Sequence, residues 1–119
     1  TINFHFDMWH GKDNLKKAIS LLDEENRDDF NKFVNTQTSF NAHLMFFCNS
    51  KEIMNKYFES LFSWLEKCEK EFGFKNLKDY DTTRIYAFLA ERYMSYWFKK
   101  NSKCLEWSMI HHDISEDII

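Results

Sequence analysis

Residues 84–98 run Arg84-Ile-Tyr-Ala-Phe-Leu-Ala-Glu91-Arg92-Tyr-Met-Ser-Tyr-Trp-Phe98, apolar on nearly every side at helical spacing yet charged at the centre. A helix of that kind is buried, and charges inside it need partners. Arg84 and Glu91 stand two turns apart and share a face, while Arg92 falls between Phe88 and Tyr96 on the adjoining one. Burying a guanidinium or a carboxylate is costly unless the ion is well paired, so the core is expected to be organised around these charges. Two readings follow: a structural ion pair tying the helix to its neighbours, or charges that line a site for a polar substrate.

The chain around this segment holds 119 residues, enough for one modest core but short for an enzyme with separate substrate and cofactor lobes. It contains 13 Phe, only 2 Gly and no Pro, a composition that disfavours turn-rich β architectures and favours helices. The net charge of −3 argues against a phosphate-backbone binder, which carries a basic stripe, so no nucleic acid partner is expected. Cys48, Cys68 and Cys104 are odd in number and widely spaced, which fits buried free thiols in a reducing cytoplasm better than a disulfide framework or a thiolate zinc site. No apolar run reaches membrane-spanning length, and no signal peptide pattern is present.

Along the chain, Ile2, Phe4 and Phe6 alternate with Asn3 and His5, the period of a short strand, and Asp7-Met-Trp-His-Gly suggests a turn. Asp13 is placed to cap a helix with Leu15, Ala18, Ile19 and Leu22 on its apolar face. That helix is expected to fade in the acidic run from Asp23, ahead of a short amphipathic piece carrying Phe30, Phe33 and Val34. The apolar run 43–48, bounded by turn formers, predicts a buried strand. Asn49 or Ser50 then caps a long amphipathic helix over Lys51–Phe72, striped with Ile53, Tyr57, Leu61, Trp64, Leu65, Cys68 and Phe72 and stopped by Gly73. Asp81 or Thr82 is the expected cap of the buried helix, and 105–110 is expected to be extended.

Candidate chemistry is sparse. His111-His112-Asp113 is a local set of metal-ligand types, but neighbours on an extended segment point to opposite faces, so a solvated tail explains it better than a metal site. His10 and Asp13, three apart at a helix start, could form a carboxylate-oriented general base, although a cap with a neighbouring His is the commoner arrangement. No Gly-x-Ser-x-Gly, Walker-type or Gly-x-Gly-x-x-Gly motif occurs. Most aromatics must build the core; Tyr93, Tyr96 and Trp97 are the ones with polar handles near Glu91 and Arg92.

Three segments together resemble a bacterial capsular-polysaccharide glycosyltransferase family of largely uncharacterised members, in its C-terminal part. They are His10-x-x-Asp13-x-Leu15 opening a helix, then Leu44-Met-Phe-Phe followed by Lys51-Glu-Ile-x-x-x-Tyr57-x-x-x-Leu61-Phe-x-x-Leu65-Glu66, and last Arg84-Ile-Tyr-Ala-Phe-Leu-Ala-Glu91-Arg92-x-x-x-x-Trp97. The resemblance implies a mainly α domain with a few short strands, spanning 1–119 as the acceptor-side portion of a longer cytoplasmic, GT-A-like α/β enzyme. Such an enzyme would move a sugar from a nucleotide-sugar donor to a glycan acceptor. It further implies Glu91 as the catalytic base, with Arg84, Arg92, His10, Asp13 and Asn41 as substrate-binding residues; Asn41 is the nearest substitute for an Asn that family members carry where Leu44 stands. A divalent metal (Mn or Mg) would belong to the other half, with no cofactor in this chain, which alone is expected to be inactive. Self-association could replace that half. The competing expectation is a small helical interaction module without catalysis, using its aromatics to bind a partner.

Overall fold

Sequence 84–98 does form one buried helix. The computed structural model describes residues 1–110, and among them the regular secondary structure is entirely helical: α1 (Ile2–His10), α2 (Asn14–Ser20), α3 (Glu24–Thr36), α4 (Lys51–Phe72), α5 (Tyr80–Thr83) and α6 (Ile85–Asn101). α6 packs against α4 and α3, and α1 against α2, α3 and α5. Nine side chains of α6 are buried, from Ile85 to Trp97, and they include Arg92. No helix among the described residues is long and apolar enough to cross a membrane.

The core is aromatic, and its phenols and indoles fasten the helices as well as fill them. Phe30 of α3 is fully buried with Trp64, Tyr93 and Tyr96 around it at ring separations of 5.7, 5.3 and 5.0 Å. Each buried hydroxyl or indole N–H of this group finds an acceptor, as the low-polarity interior demands. Tyr93 Oη pairs with Ser60 Oγ of α4 at 2.6 Å, Tyr96 Oη donates to Asn26 Oδ1 of α3 at 2.9 Å, and Trp64 Nε1 donates to the Ala18 carbonyl of α2 at 2.7 Å. Burial pushes the Tyr57 phenol up to about 12. At the C-terminal end of α6, Lys100 binds Asp29 at 2.9 Å, where a cation also complements the helix dipole.

α4 follows its sequence pattern. Ser50 Oγ accepts the Ile53 N–H, Tyr57, Leu61, Trp64 and Cys68 are buried, and Gly73 ends the helix. Ile53, Leu65 and Phe72 are only half-buried at the margin of the stripe. α6 begins after Arg84 with no side-chain cap, not at Asp81 or Thr82, which lie within the short α5, itself capped by Asp79 in a reciprocal capping box with Thr82. Asp23 ends nothing: its carboxylate caps α3, which is longer than the short piece expected there.

The two expected strands do not form. Residues 2–6 are the first turns of α1, because Ile2, Phe6 and His10 recur at helical spacing and are buried while Phe4 is 68 % exposed. A five-residue strand without a neighbour would leave its ladder groups unpaired, whereas the helix satisfies them; Thr1 caps it, and the Ile2 N–H donates to the Gln37 carbonyl at 2.9 Å. The turn expected at 7–11 begins only at Gly11 (φ 99°). Residues 43–48 are irregular, with His43 and Leu44 at positive φ (71° and 51°), a backbone that cannot continue a strand. Phe46 leans against the core, 5.6 Å from the Tyr57 ring and 5.0 Å from Phe98, but is itself 38 % exposed, and Phe47 is almost fully exposed. Residues 103–110 have no regular structure. Of the three free thiols only Cys68 is buried, with its pKa pushed up to about 12 by desolvation; Cys48 is half-buried and Cys104 exposed.

Gly73 sits at φ 62°, ψ −157°, a region essentially reserved for glycine, and a Cβ there would touch nothing. Gly73→Ala is therefore expected to lower unfolding free energy by about 1–3 kcal/mol through backbone strain alone. Urea denaturation should show a lower midpoint with an unchanged slope.

Candidate functional site

Arg92 projects from the middle of α6 toward α1 and is 2 % exposed. Its Nη1 donates to the Phe88 carbonyl one turn earlier at 3.0 Å. Nη2 faces two ring nitrogens of α1, His5 Nδ1 at 3.4 Å and His10 Nε2 at 3.5 Å. The guanidinium carbon lies 4.5 Å from the Phe40 ring centroid and 5.0 Å from that of Phe6, within range for cation–π attraction. Glu91 Oε2 stands 3.6 Å from Nη1, with its side chain 20 % exposed. Nε is buried with no hydrogen-bond partner. Desolvation pushes the Arg92 pKa down to about 10, opposed by the Glu91 carboxylate, so the group stays charged at neutral pH.

The cluster fixes the tautomer of His10. Its Nδ1 is 3.0 Å from the Asp81 carbonyl, which only accepts, so the proton resides on Nδ1 and the Nε2 lone pair faces Arg92. The ring also stacks on Phe88 at 3.9 Å, which holds it in place. Burial lowers the pKa of His10, with the Asp81 hydrogen bond opposing and the Arg92 charge assisting. Burial and then the charge of Arg92 lower that of His5. Both imidazoles are accordingly neutral acceptors for a cation.

The residues singled out in the sequence divide into those brought together here and those that are not. His10, Glu91 and Arg92 meet directly. Arg84 is exposed at the start of α6, where Nη1 donates to Tyr80 Oη at 2.6 Å, and Tyr80 reaches the cluster through Phe88, 6.4 Å away. Of the three charges expected to be buried, only Arg92 is, and its carboxylate partner is its own chain neighbour rather than a residue of another helix. Asp13 does not orient His10. It starts α2 in a left-handed conformation (φ 63°), makes no side-chain cap, and donates its backbone N–H to Asp7 Oδ1 at 3.0 Å. Asn41 receives no contact from Arg92 but is pinned to the same helix: its N–H donates to Ser95 Oγ at 2.8 Å, which places the adjoining Phe40 over the guanidinium.

Sequence reasoning passed over His5, Phe6 and Phe40. His5 and Phe6 were hidden by assigning 2–6 to a strand, since only a helix turns both toward Arg92; Phe40 lies in a loop with no periodicity to give it away. Tyr96 and Trp97 lie on other faces of α6 from the cluster. Among the described residues no group of three or more His, Cys, Asp or Glu is arranged to hold a metal ion. The local set His111, His112 and Asp113 lies outside the described residues.

These features define a helical domain built on one buried helix that carries a buried cation and a partly exposed carboxylate beside it. The model of a family described as a domain of unknown function (DUF4422) matches residues 1–102, and the chain belongs to that family. No curated protein matches the chain, and neither does any solved structure.

On acidification the unfolded chain takes up protons on His5 and His10 near their ordinary value of 6.5, whereas the folded cluster resists them. Folded stability therefore falls as the pH drops below about 6.5. The melting temperature is expected to fall more steeply between about pH 7.5 and 5 in the natural sequence than in His10→Gln, which retains polarity at this position but cannot titrate. Scanning calorimetry across that range measures the difference.

Proposed function

We propose that this domain is the acceptor-side portion of a GT-A-like glycosyltransferase, moving a sugar from a nucleotide-sugar donor in capsular or surface polysaccharide synthesis. The reading starts from the resemblance of the 84–97 segment, and one observation supports it: a carboxylate, Glu91, partly exposed beside a buried guanidinium. Glu91 serves as general base toward an acceptor hydroxyl, and Arg92 is its positioning residue, enclosed too fully to touch substrate itself. Arg84, exposed and aligned on Tyr80, is the cation available to a phosphate or a sugar hydroxyl.

A second reading, a non-catalytic interaction module, is favoured by the outer side of α1, where Phe4, Met8 and Trp9 are 68, 60 and 52 % exposed. Apolar exposure of this kind marks a contact surface, whether for a partner or for another part of the same enzyme.

In the natural full-length product, Glu91→Gln is expected to reduce nucleotide-sugar hydrolysis and transfer by about 10²–10⁴-fold while the fold is retained. Full activity in Glu91→Gln would remove the base assignment, and no turnover of any nucleotide sugar by the natural product would leave the interaction module. Arg92→Met separates positioning from packing. Replacing a buried ion by an apolar side chain of similar length is expected to leave stability unchanged or raise it by about 1–4 kcal/mol, while activity falls along with that of Glu91→Gln.

A further inference from the structure

The buried row of α4, made by Tyr57, Leu61, Trp64 and Cys68, faces the core. A second row runs along the outer side of the same helix, where Lys51, Asn55, Phe58, Phe62, Leu65 and Glu69 recur at alternating spacings of four and three residues. That is the heptad spacing of a seam along which two helices interlock. Phe62 is 59 % exposed, Phe58 and Leu65 are half-buried, and Lys51, Asn55 and Glu69 are exposed. The Phe58 and Phe62 rings stack on each other at 5.7 Å and line a shallow concavity on this face of α4. Within the single chain, water covers the apolar centre of this seam.

The charges at the two ends of the row decide what fits it. Lys51 stands at one end and Glu69 at the other, and neither has an ionic partner among the described residues. Two copies laid side by side in parallel would set Lys51 on Lys51 and Glu69 on Glu69. Run antiparallel about a two-fold axis beside Ser60, they bring Lys51 of each copy onto Glu69 of the other, Asn55 onto Leu65, and Phe58 onto Phe62. Sliding one copy by a heptad in either direction loses both ion pairs, because Lys51 then meets Phe62 or Glu69 meets Phe58. One edge of the seam is acidic, with Glu52, Glu59 and Glu66. Glu52 and Glu66 are already paired with Lys56 and Lys70 at 3.0 and 3.1 Å, so the repulsion left across the axis is between the two copies of Glu59, at a rim that dissolved salt screens.

We infer that the outer face of α4 is a self-association surface, on which α4 of a second copy of this chain lies antiparallel in the register that sets Lys51 on Glu69. The four phenylalanines meet at the axis and supply the apolar centre, and the two symmetric ion pairs fix direction and register. The surface stands independently of the role proposed for Glu91, since it shares no residue with the Arg92 cluster and needs no turnover.

The test is sedimentation velocity of the purified chain across a micromolar concentration series. The expected result is a reversible monomer–dimer equilibrium. Phe62→Gln removes the apolar centre at an exposed position, and should abolish the dimer while leaving the melting temperature of the monomer unchanged. Lys51→Glu and Glu69→Lys each convert both ion pairs into like-charge contacts, and each should weaken the dimer by about tenfold or more. Both changes suit the helix dipole, with acid at the N-terminus and base at the C-terminus, so neither is expected to destabilise the monomer. Combined in one chain they restore opposite charges across the seam, and the starting affinity should return. A monomer at every concentration, a dimer that survives Phe62→Gln, or charge reversals that fail to weaken it singly or to recover it together would each overturn the assignment.

Discussion

A single arginine cannot be buried in a helical core without conditions, and the conditions Arg92 imposes account for much of what surrounds it. The nearest carboxylate belongs to the preceding residue and reaches only to 3.6 Å, so the link between α6 and α1 is made by imidazoles and aromatic faces instead. Such partners work best when neutral, and desolvation, assisted by the Arg92 charge, lowers the pKa of the buried His10 and of the more exposed His5. The Asp81 carbonyl then selects the tautomer of His10 that leaves a lone pair for the guanidinium. In this way a backbone carbonyl at the α5 corner, a ring of α1 and a cation of α6 form one chain of dependence.

The other faces of α6 are held by neutral hydroxyls. Tyr93 to Ser60 fixes α4, Tyr96 to Asn26 fixes α3, and Lys100 closes the end on Asp29. These bonds add modestly to stability one by one, about 0.5–1.5 kcal/mol each in typical cases, but they set which face of α6 meets which helix. That orientation aims Arg92 at α1 and leaves Glu91 at the surface. It also places Trp97 and Asn101 in the wall of a cleft between α3, α4 and the C-terminal turns of α6.

What the sequence revealed follows from how far each signal extends along the chain. α4 and α6 were legible because their patterns run for several turns and end at Ser50, Gly73 and Asn101, so local chemistry and periodicity agree. The 2–6 and 43–48 segments misled because a short apolar alternation fits a strand equally well. Whether it becomes one depends on a neighbouring strand that this chain does not provide among its described residues. The site divides in the same way: Arg92, Glu91 and His10 were visible as charges or a histidine set against an apolar pattern. The pairing of His10 with Asp81 rather than Asp13, and the cover supplied by Phe40, depend on contacts across 71 and 52 residues of chain that no local pattern encodes.

The claim at the centre of this account is that a charged Arg92 is held between neutral imidazoles. Long-range ¹H–¹⁵N correlation spectra of the histidine rings at neutral pH test it most directly, because protonated and bare ring nitrogens resonate far apart. The account predicts that His10 carries its proton on Nδ1, with a bare Nε2, and that replacing Arg92 by Met shifts that Nε2 resonance. A proton on Nε2, or an imidazolium at His10 at neutral pH, would contradict it.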